Sequence, residues 1–532
     1  MSSNKFIDKN ISKSNQLLLL KKGRYGLMRI LFGRTGIIVF LLIVQVGILF
    51  TMFRFLESLV PYAFTTLLIF SIFMVIYIIN SEHNVNVQLS WIILIMLLPG
   101  FGGLLYIFIQ TDIGHRTLKR RFKSIVKETR SEFVEQEDLM EYLKSENKGL
   151  YNLATYTGKA GGFPIYKESS TKYFPLGEDA FKEMLVQLES AEKFIFMEYF
   201  IVDEGYMWGQ ILKILSDKVD QGVEVRFMYD GTCEFALLPR NYSKKLEKLG
   251  IKCKVFAPIR PFLSTHYNYR DHRKILVVDG RVAFTGGLNL ADEYINKIEV
   301  YGHWKDTAVM IQGKAVESFT IMFLQTWNTN EEDRSYMEDI YTSEALSKKE
   351  GGYVLPFGDS PLDNDKVGQM IYMDILNRAK DYVYIMTPYL ILDGDMLTSL
   401  QFAARRGVDV KIIMPHIADK KMVFAQSRSH YKELMKFGVK IYEYTPGFMH
   451  AKVFLSDDKK AVVGTINLDY RSLYHHFECG LYMEGVSALR DVKSDFKETL
   501  DKSQLVTLED IKNYSIFMTG AGKVLKLIAP LM

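Results

Sequence analysis

The sequence predicts an α/β protein of two pseudo-symmetric halves packed around one active site, preceded by an N-terminal transmembrane helical module. Three observations carry this. The pattern His-x-Lys-x-x-x-x-Asp occurs twice, as His272, Lys274, Asp279 and as His450, Lys452, Asp457. Each copy continues the same way, into Gly286-Gly287-Leu288-Asn289 and Gly464-Thr465-Ile466-Asn467, and matched positions are 178 residues apart (272 to 450, 289 to 467). The third observation is a set of long apolar runs confined to the first 110 residues.

The soluble part repeats more than its motifs. Phe194–Val202 and Tyr382–Ile391 read as buried strands, each with an aspartate close behind (Asp203, Asp393). Gly222–Met228 parallels Gly407–Ile413 after a helical stretch, and Lys244–Gly250 parallels Tyr431–Gly438. Strand–helix–strand order of this kind predicts α/β layers with a mostly parallel sheet. The second half is ten residues shorter just before its histidine, because the offset falls from 188 at Gly250/Gly438 to 178. The extra first-half segment, Ile259–Asp271, is an aromatic and basic loop beside the site. The expected division is 1–112, membrane module; 113–160, a linker helix and loop; 161–345, first half; 346–532, second half.

In a strand, side chains at i and i+2 share a face, so His and Lys project together. The apolar residues after each Lys (Ile275–Val278, Val453–Leu455) predict buried strands. The Gly-Gly and Gly-Thr pairs allow close backbone approach to a ligand, and Asn289 and Asn467 supply amides for phosphate binding. Imidazole, ammonium and amide together suit a phosphate: a nucleophile or proton donor, a fixed cation, and hydrogen bonds to a non-bridging oxygen. Two sets provide one imidazole to attack phosphorus and another to protonate the leaving oxygen. The catalytic set is therefore His272, Lys274, Asp279, His450, Lys452 and Asp457. Within it, Asp279 and Asp457 lie at the far end of a strand and read as structural members.

These motifs resemble the phospholipase D superfamily, and over most of residues 160–532 its bacterial cardiolipin synthase branch. The resemblance rests on Asn268-Tyr269-Arg270-Asp271-His272-Arg273-Lys274, on Gly286 to Tyr294, and on Asn467-Leu468-Asp469-Tyr470-Arg471-Ser472 with Phe477-Glu478. Thr387-Pro388-Tyr389 and the closing Leu525 to Leu531 are similar too. Phe357-Gly358-Asp359-Ser360-Pro361 stands where the family has Ser-Gly-Pro. The resemblance implies two phospholipase D-like halves and histidine-orienting acids at Asp306 and Glu478, each assigned to the histidine that precedes it in its own half. It implies His272 as nucleophile and His450 as acid/base, although pseudo-symmetry leaves the reverse open. It implies no cofactor and no metal, the lysines serving as cationic clamp. The chain carries no metal-ligand pattern of the His-Glu-x-x-His kind. The remaining histidines, including His303, His475 and His476, read as structural or lining.

The expected reaction joins two phosphatidylglycerols into cardiolipin and releases glycerol through a phosphohistidine. Hydrolysis to phosphatidic acid is the enzymatic alternative, and an inactive membrane scaffold the non-enzymatic one. Expected partners are phosphatidylglycerol and other membrane phospholipids. A net charge of +4 over 532 residues, without a basic aromatic groove, points away from nucleic acid. Three cysteines without paired spacing (Cys233, Cys253, Cys479) give neither a disulfide framework nor a zinc site.

The apolar runs are 35–52, 59–79 and 89–109, each near the roughly 20 residues a crossing requires. Residues 1–34 carry eight Lys or Arg against one Asp, and a second basic cluster (Arg116 to Arg130) follows the third run. Both clusters favour the cytoplasm, which two crossings satisfy and three do not. The third run, interrupted by Pro99-Gly100-Phe101-Gly102-Gly103, is the candidate for a re-entrant segment; as an ordinary anchor helix it would make the first run the atypical one. The expected location is the cell membrane, multi-pass, with the catalytic part on the cytoplasmic side. Residues 17–34 read as a basic amphipathic surface helix or a topology signal.

Overall fold

The computed structural model describes residues 60–82, 84–110, 113–130, 137–258, 269–330 and 350–531, and, ahead of residue 60, positions 43, 47 and 51. The segments expected at 17–34 and, but for those three positions, at 35–52 lie outside this set, as do residues 259–268 of the aromatic loop and the boundary at 345/346.

Two sheets with matching strand orders form the catalytic body. The first runs Ser170–Phe174, Ala308–Gln312, Val282–Gly286, Lys274–Val278, Phe194–Tyr199, Glu224–Asp230, Lys252–Phe256. The second repeats this order as Tyr353–Asp359, His476–Glu484, Lys460–Gly464, Val453–Ser456, Tyr382–Met386, Asp409–Pro415, Lys440–Tyr444. The expected two-half α/β architecture is therefore present. The sheets are mixed, not mostly parallel. Only the last three strands of each order run parallel, joined by helical crossovers. The motif strands instead form tight antiparallel hairpins, because only a few residues separate Val278 from Val282 and Ser456 from Lys460, too few for a crossover. Helix Val316–Trp327 lies between the sheets with all twelve residues buried, its polar members Ser318, Thr320 and Gln325 being hydrogen-bonded.

The hairpin turns explain the motif aspartates. Asp279 and Asp457 adopt left-handed backbone, with φ of 53° and 54°. The Asp279 carboxylate accepts the backbone N–H groups of Glu192, Lys193 and Phe194 at 2.8–2.9 Å. Asp457 does the same for Lys380, Asp381 and Tyr382, each at 2.9 Å. Each aspartate thus pins the entry of the neighbouring central strand to the motif hairpin. Their inclusion in the catalytic set is corrected by this geometry, which spends both oxygens on backbone at the end remote from the histidines.

Residues 113–160 form three helices (Ile113–Arg130, Glu137–Glu146, Lys148–Ala160) in place of a helix and a loop. Leu143, Leu150 and Leu153 are buried in the main core, and Phe122 meets Phe477 edge to face.

Ahead of these lie α1 (Val60–Ile79), α2 (Val85–Leu97) and α3 (Phe101–Gln110). They pack through Met74, Ile78, Trp91, Ile95 and Tyr106. The third apolar run is broken at Leu98–Gly100, where Gly100 takes φ +79°, so α2 and α3 make a hairpin. A Cβ on Gly102 would meet the backbone of Ile95 at 2.7 Å, so glycine is what lets the two arms close. The Gly100 N–H donates to Ser71 Oγ at 3.0 Å. Ser71 is eight residues from the end of α1, so the hairpin tip sits roughly 12 Å along it. The base of the hairpin docks on the second half: Asn84 and Asn86 donate to the hydroxyls of Tyr474 and Tyr470 at 3.1 and 2.9 Å. Among the described residues no helix is long and apolar enough throughout to cross a membrane. The nearest is α1, 20 residues without a charge, with Phe64, Ile69 and Phe73 among its exposed side chains.

If Asp279 is structural, Asp279→Ala leaves three backbone donors without an acceptor and costs about 2–4 kcal/mol of stability. Denaturant unfolding should show that loss, while activity per folded molecule stays near the parent's.

Candidate active site

The strand exchange between halves builds the site. Arg270–Asp271, just before His272, pairs in parallel with His476 and Phe477 of the second half, and the His272 N–H donates to Phe477 O at 2.9 Å. In mirror fashion Gly447–Met449, just before His450, pairs in parallel with His303–Lys305 of the first half. The His450 N–H donates to Lys305 O at 2.7 Å. Each histidine loop is thus held by the partner half's strand, next to that half's acid.

The orienting acids are consequently crossed. His272 Nδ1 lies 2.9 Å from both oxygens of Glu478, and His450 Nδ1 lies 2.7 Å from Asp306 Oδ2. Asp306 and Glu478 are the acids expected, but each serves the histidine of the other half, not the one that precedes it in its own. Both carboxylates are fully buried and both histidines are 7% exposed. A carboxylate on Nδ1 leaves Nε2 as the free nitrogen for chemistry.

The glycine pairs act on these acids. A Cβ on Gly287 would lie 2.0 Å from Asp306 Oδ1, so only glycine lets that carboxylate pass. Its counterpart Thr465 instead donates its hydroxyl to Glu478. Room for the acid, not ligand approach, is what this position provides.

Lys274 and Lys452 each donate to the carbonyl of the histidine two residues before, and Lys452 Nζ lies 3.1 Å from His450 Nε2. Burial lowers Lys274 to about 8 and Lys452 to about 7, despite the nearby Glu478 and Asp306. Burial, then Lys274, Lys452 and His450, hold His272 well below the usual imidazole range. Burial and Lys452 bring His450 to about 4 against the pull of Asp306. Burial pushes Asp306 up, but His450 and Lys452 outweigh it and the carboxyl ends below its ordinary value. The two histidines and two lysines therefore feel one another, and the two carboxylates, within one buried site.

The asparagines are placed less simply. Asn289 Oδ1 accepts the Ile201 N–H at 3.0 Å and its amide donates to the Tyr294 hydroxyl at 2.8 Å. Asn467 is buried, and its Oδ1 has no partner among the described residues. His303 meets Tyr444 Oη at 3.0 Å, a structural placement.

Two neighbours, Arg273 and Thr465, were not given these roles from sequence, and a third, His476, was read only as a residue that could line the site. Arg273 joins Asp271 at 3.1 Å and Glu198 at 2.5 Å beneath the strand exchange. Thr465 holds Glu478, a role signalled by its standing in register with Gly287. His476 enters the pocket beside His272, their ring centres 5.4 Å apart. Its position two residues before Glu478 was the available signal, since i and i+2 share a strand face. His272, His476 and Glu478 also place potential metal-ligand atoms within 4.8 Å of one another. Strand exchange thus brings together three residues whose linear spacing does not display them as a set.

Two crossed imidazole–carboxylate pairs with a lysine at each define a two-histidine phosphoryl-transfer centre. The profile described as "Cardiolipin synthase, PLD-like domain" matches residues 184–327 and 372–500, and the profile "Phospholipase_D-nuclease N-terminal" matches 69–110. The chain belongs to the cardiolipin synthase family of phospholipase D-like proteins. It is 34% identical to the cardiolipin synthase of Alkalihalophilus pseudofirmus, over 87% of this chain and 92% of that one. It is 31% identical to the cardiolipin synthase of Halalkalibacterium halodurans, over 94% and 100%. An uncharacterized protein of Streptococcus mutans is 54% identical over 86% of this chain and 99% of its own. Among solved structures, the phosphatidylserine synthase of Haemophilus influenzae superposes with a TM-score of 0.55 at 14% identity, covering 73% of this chain and 97% of that one; the likeness is one of fold.

Lys452 is cationic below about pH 7 and Lys274 below about pH 8, so the clamp weakens as pH rises through this range. The free enzyme's kcat/KM should fall on the alkaline side from about pH 7, measured as product formed at low substrate across a pH series. A flat profile to pH 10 would remove the lysines from this role.

Proposed function

We propose that this chain makes cardiolipin by transferring a phosphatidyl group from one phosphatidylglycerol to another, with glycerol released. The carrying observation is the pair of crossed His–carboxylate units, each with a lysine, enclosed in one pocket. His272 Nε2 attacks phosphorus, the bond to the headgroup glycerol oxygen breaks, and His450 gives that oxygen its proton. The bound phosphodiester, an anion between two lysines, adds negative charge beside His450 and so favours its protonated form. The headgroup hydroxyl of the second phosphatidylglycerol then yields its proton to His450 and attacks phosphorus, and the phosphorus–nitrogen bond breaks. Lys274 and Lys452 balance charge on the non-bridging oxygens, and Asn467 offers its amide there; Asn289, already tied to Ile201 and Tyr294, contributes mainly by position. Asp306 and Glu478 hold the tautomers. Burial of the pocket keeps water from intercepting the phosphohistidine.

His272→Ala and His450→Ala should each abolish transfer, and only His272→Ala should fail to trap labelled phosphoenzyme. With purified chain and phosphatidylglycerol, cardiolipin and glycerol should dominate, and added glycerol should drive the reaction backwards. Phosphatidic acid as the main product even at high phosphatidylglycerol would make this a phospholipase.

The N-terminal reading belongs to the same proposal, with residues 1–112 as membrane module, 113–160 as connecting helices, and halves at 161–345 and 346–532. The module crosses the membrane twice, and the broken third run, the hairpin of α2 and α3, is re-entrant, its start at Asn84 and Asn86 docking on the second half. This places the amino terminus and the catalytic halves together on the cytoplasmic side, as the two basic clusters favour. The exposed apolar side chains of α1 and of helix Ile516–Ile528 (Ile516 is 91% exposed) support a lipid-facing surface. Cysteines introduced at residues 10 and 160 should both resist an impermeant reagent in intact cells. Labelling of one alone means three crossings.

A further inference from the structure

His476 is a buried imidazole for which the transfer cycle has no task. It is 7% exposed, and neither ring nitrogen has a hydrogen-bond partner among the described residues. Its Nδ1 stands 3.6 Å from Glu478 Oε1, too long for a hydrogen bond. Buried polar groups are normally satisfied, so two orphaned nitrogens on one ring call for an explanation. Glu478 meanwhile sits 2.9 Å from His272 Nδ1, and the ligand atoms of all three residues fall within 4.8 Å of one another.

Two imidazoles and a carboxylate form the protein ligand set of an open zinc-type site. Bonds of about 2.0–2.1 Å in a tetrahedron put neighbouring ligands about 3.3 Å apart. The 2.9 and 3.6 Å separations bracket that value, so the set needs only small side-chain rotations to close on an ion. Magnesium wants more oxygen ligands than this set presents.

We propose that His272, His476 and Glu478 form a site for one divalent cation of the zinc class, and that its occupancy stops transfer. Coordination through Nδ1 takes the Glu478 carboxylate away from His272 and leaves the single ring proton of the neutral imidazole on Nε2. The reacting nitrogen then has no lone pair to offer phosphorus. The inhibitory half of this proposal rests on the reading of His272 as the attacking group; the cation site itself does not.

Full-length chain, stripped of metal and supplied with phosphatidylglycerol, should bind one equivalent of Co2+ with visible d–d absorption, and Zn2+ should displace it. Transfer should fall in step with occupancy and return on chelation. His476→Asn should keep transfer while the half-inhibiting concentration rises at least about tenfold; His476→Gln serves if the first variant folds poorly. Absence of the cobalt spectrum in the parent, or unchanged spectrum and inhibition in both variants, overturns the cation site. If His272→Ala is inactive in the same experiments, the transfer reading survives that failure. Stoichiometric Co2+ with undiminished turnover overturns the inhibition and, with it, the assignment of His272.

Discussion

The crossed pairing of buried histidine and buried carboxylate is the interaction on which the molecule depends. Asp306 and Glu478 are completely removed from solvent, and each would be a buried anion without its partner if the opposite half were absent. Removing one member of such a pair costs several kcal/mol, because the remaining charge is left desolvated. The parallel strand contacts that bring the pairs together, Arg270–Asp271 with His476–Phe477 and Gly447–Met449 with His303–Lys305, also join the two sheets. Assembly of the site and association of the halves are therefore one event. Neither half can orient its own histidine.

This is why the sequence was readable to the level of residues but not of pairings. The two-half α/β plan, the buried motif strands and the acids at 306 and 478 follow from period, spacing and resemblance. The crossing does not, since distance along a chain of two similar halves cannot say which copy of an acid faces which histidine. The expectation of mostly parallel sheets failed for a related reason. Helical crossovers in the first part of each half advertise parallel pairing, whereas the Asp279 and Asp457 turns that reverse the chain are short and hidden in the motif. Those two aspartates read as structural on position alone, and their three backbone hydrogen bonds apiece supply the cause. His476 could be read only as structural or lining, and the strand exchange is what makes it a neighbour of His272.

The electrostatics of the pocket follow from the same enclosure. Two lysines, two histidines and two carboxylates in a medium of low dielectric act strongly on one another. The lysines are held at about 8 and about 7, so they carry their charge at some cost and gain it back when an anionic phosphodiester arrives. The chain's small net charge of +4 gives no hint of it, because the relevant cations are the buried ones.

The two imidazoles are not equivalent, and the difference lies in their acids. Glu478 is shared: it faces His272 and receives the Thr465 hydroxyl. Asp306 has the Thr307 N–H at 2.8 Å and His450 at 2.7 Å, with Gly287 offering no hydroxyl in the position of Thr465. A carboxylate already stabilised by a side-chain donor has less to gain from an adjacent imidazolium. Accordingly Asp306 is among the main influences on His450 and favours its charged form, whereas those on His272 all oppose charge. This asymmetry runs in the same sense as the proposed roles, His450 as proton carrier and His272 as nucleophile, and it accompanies the one glycine-to-threonine difference between otherwise matching motifs.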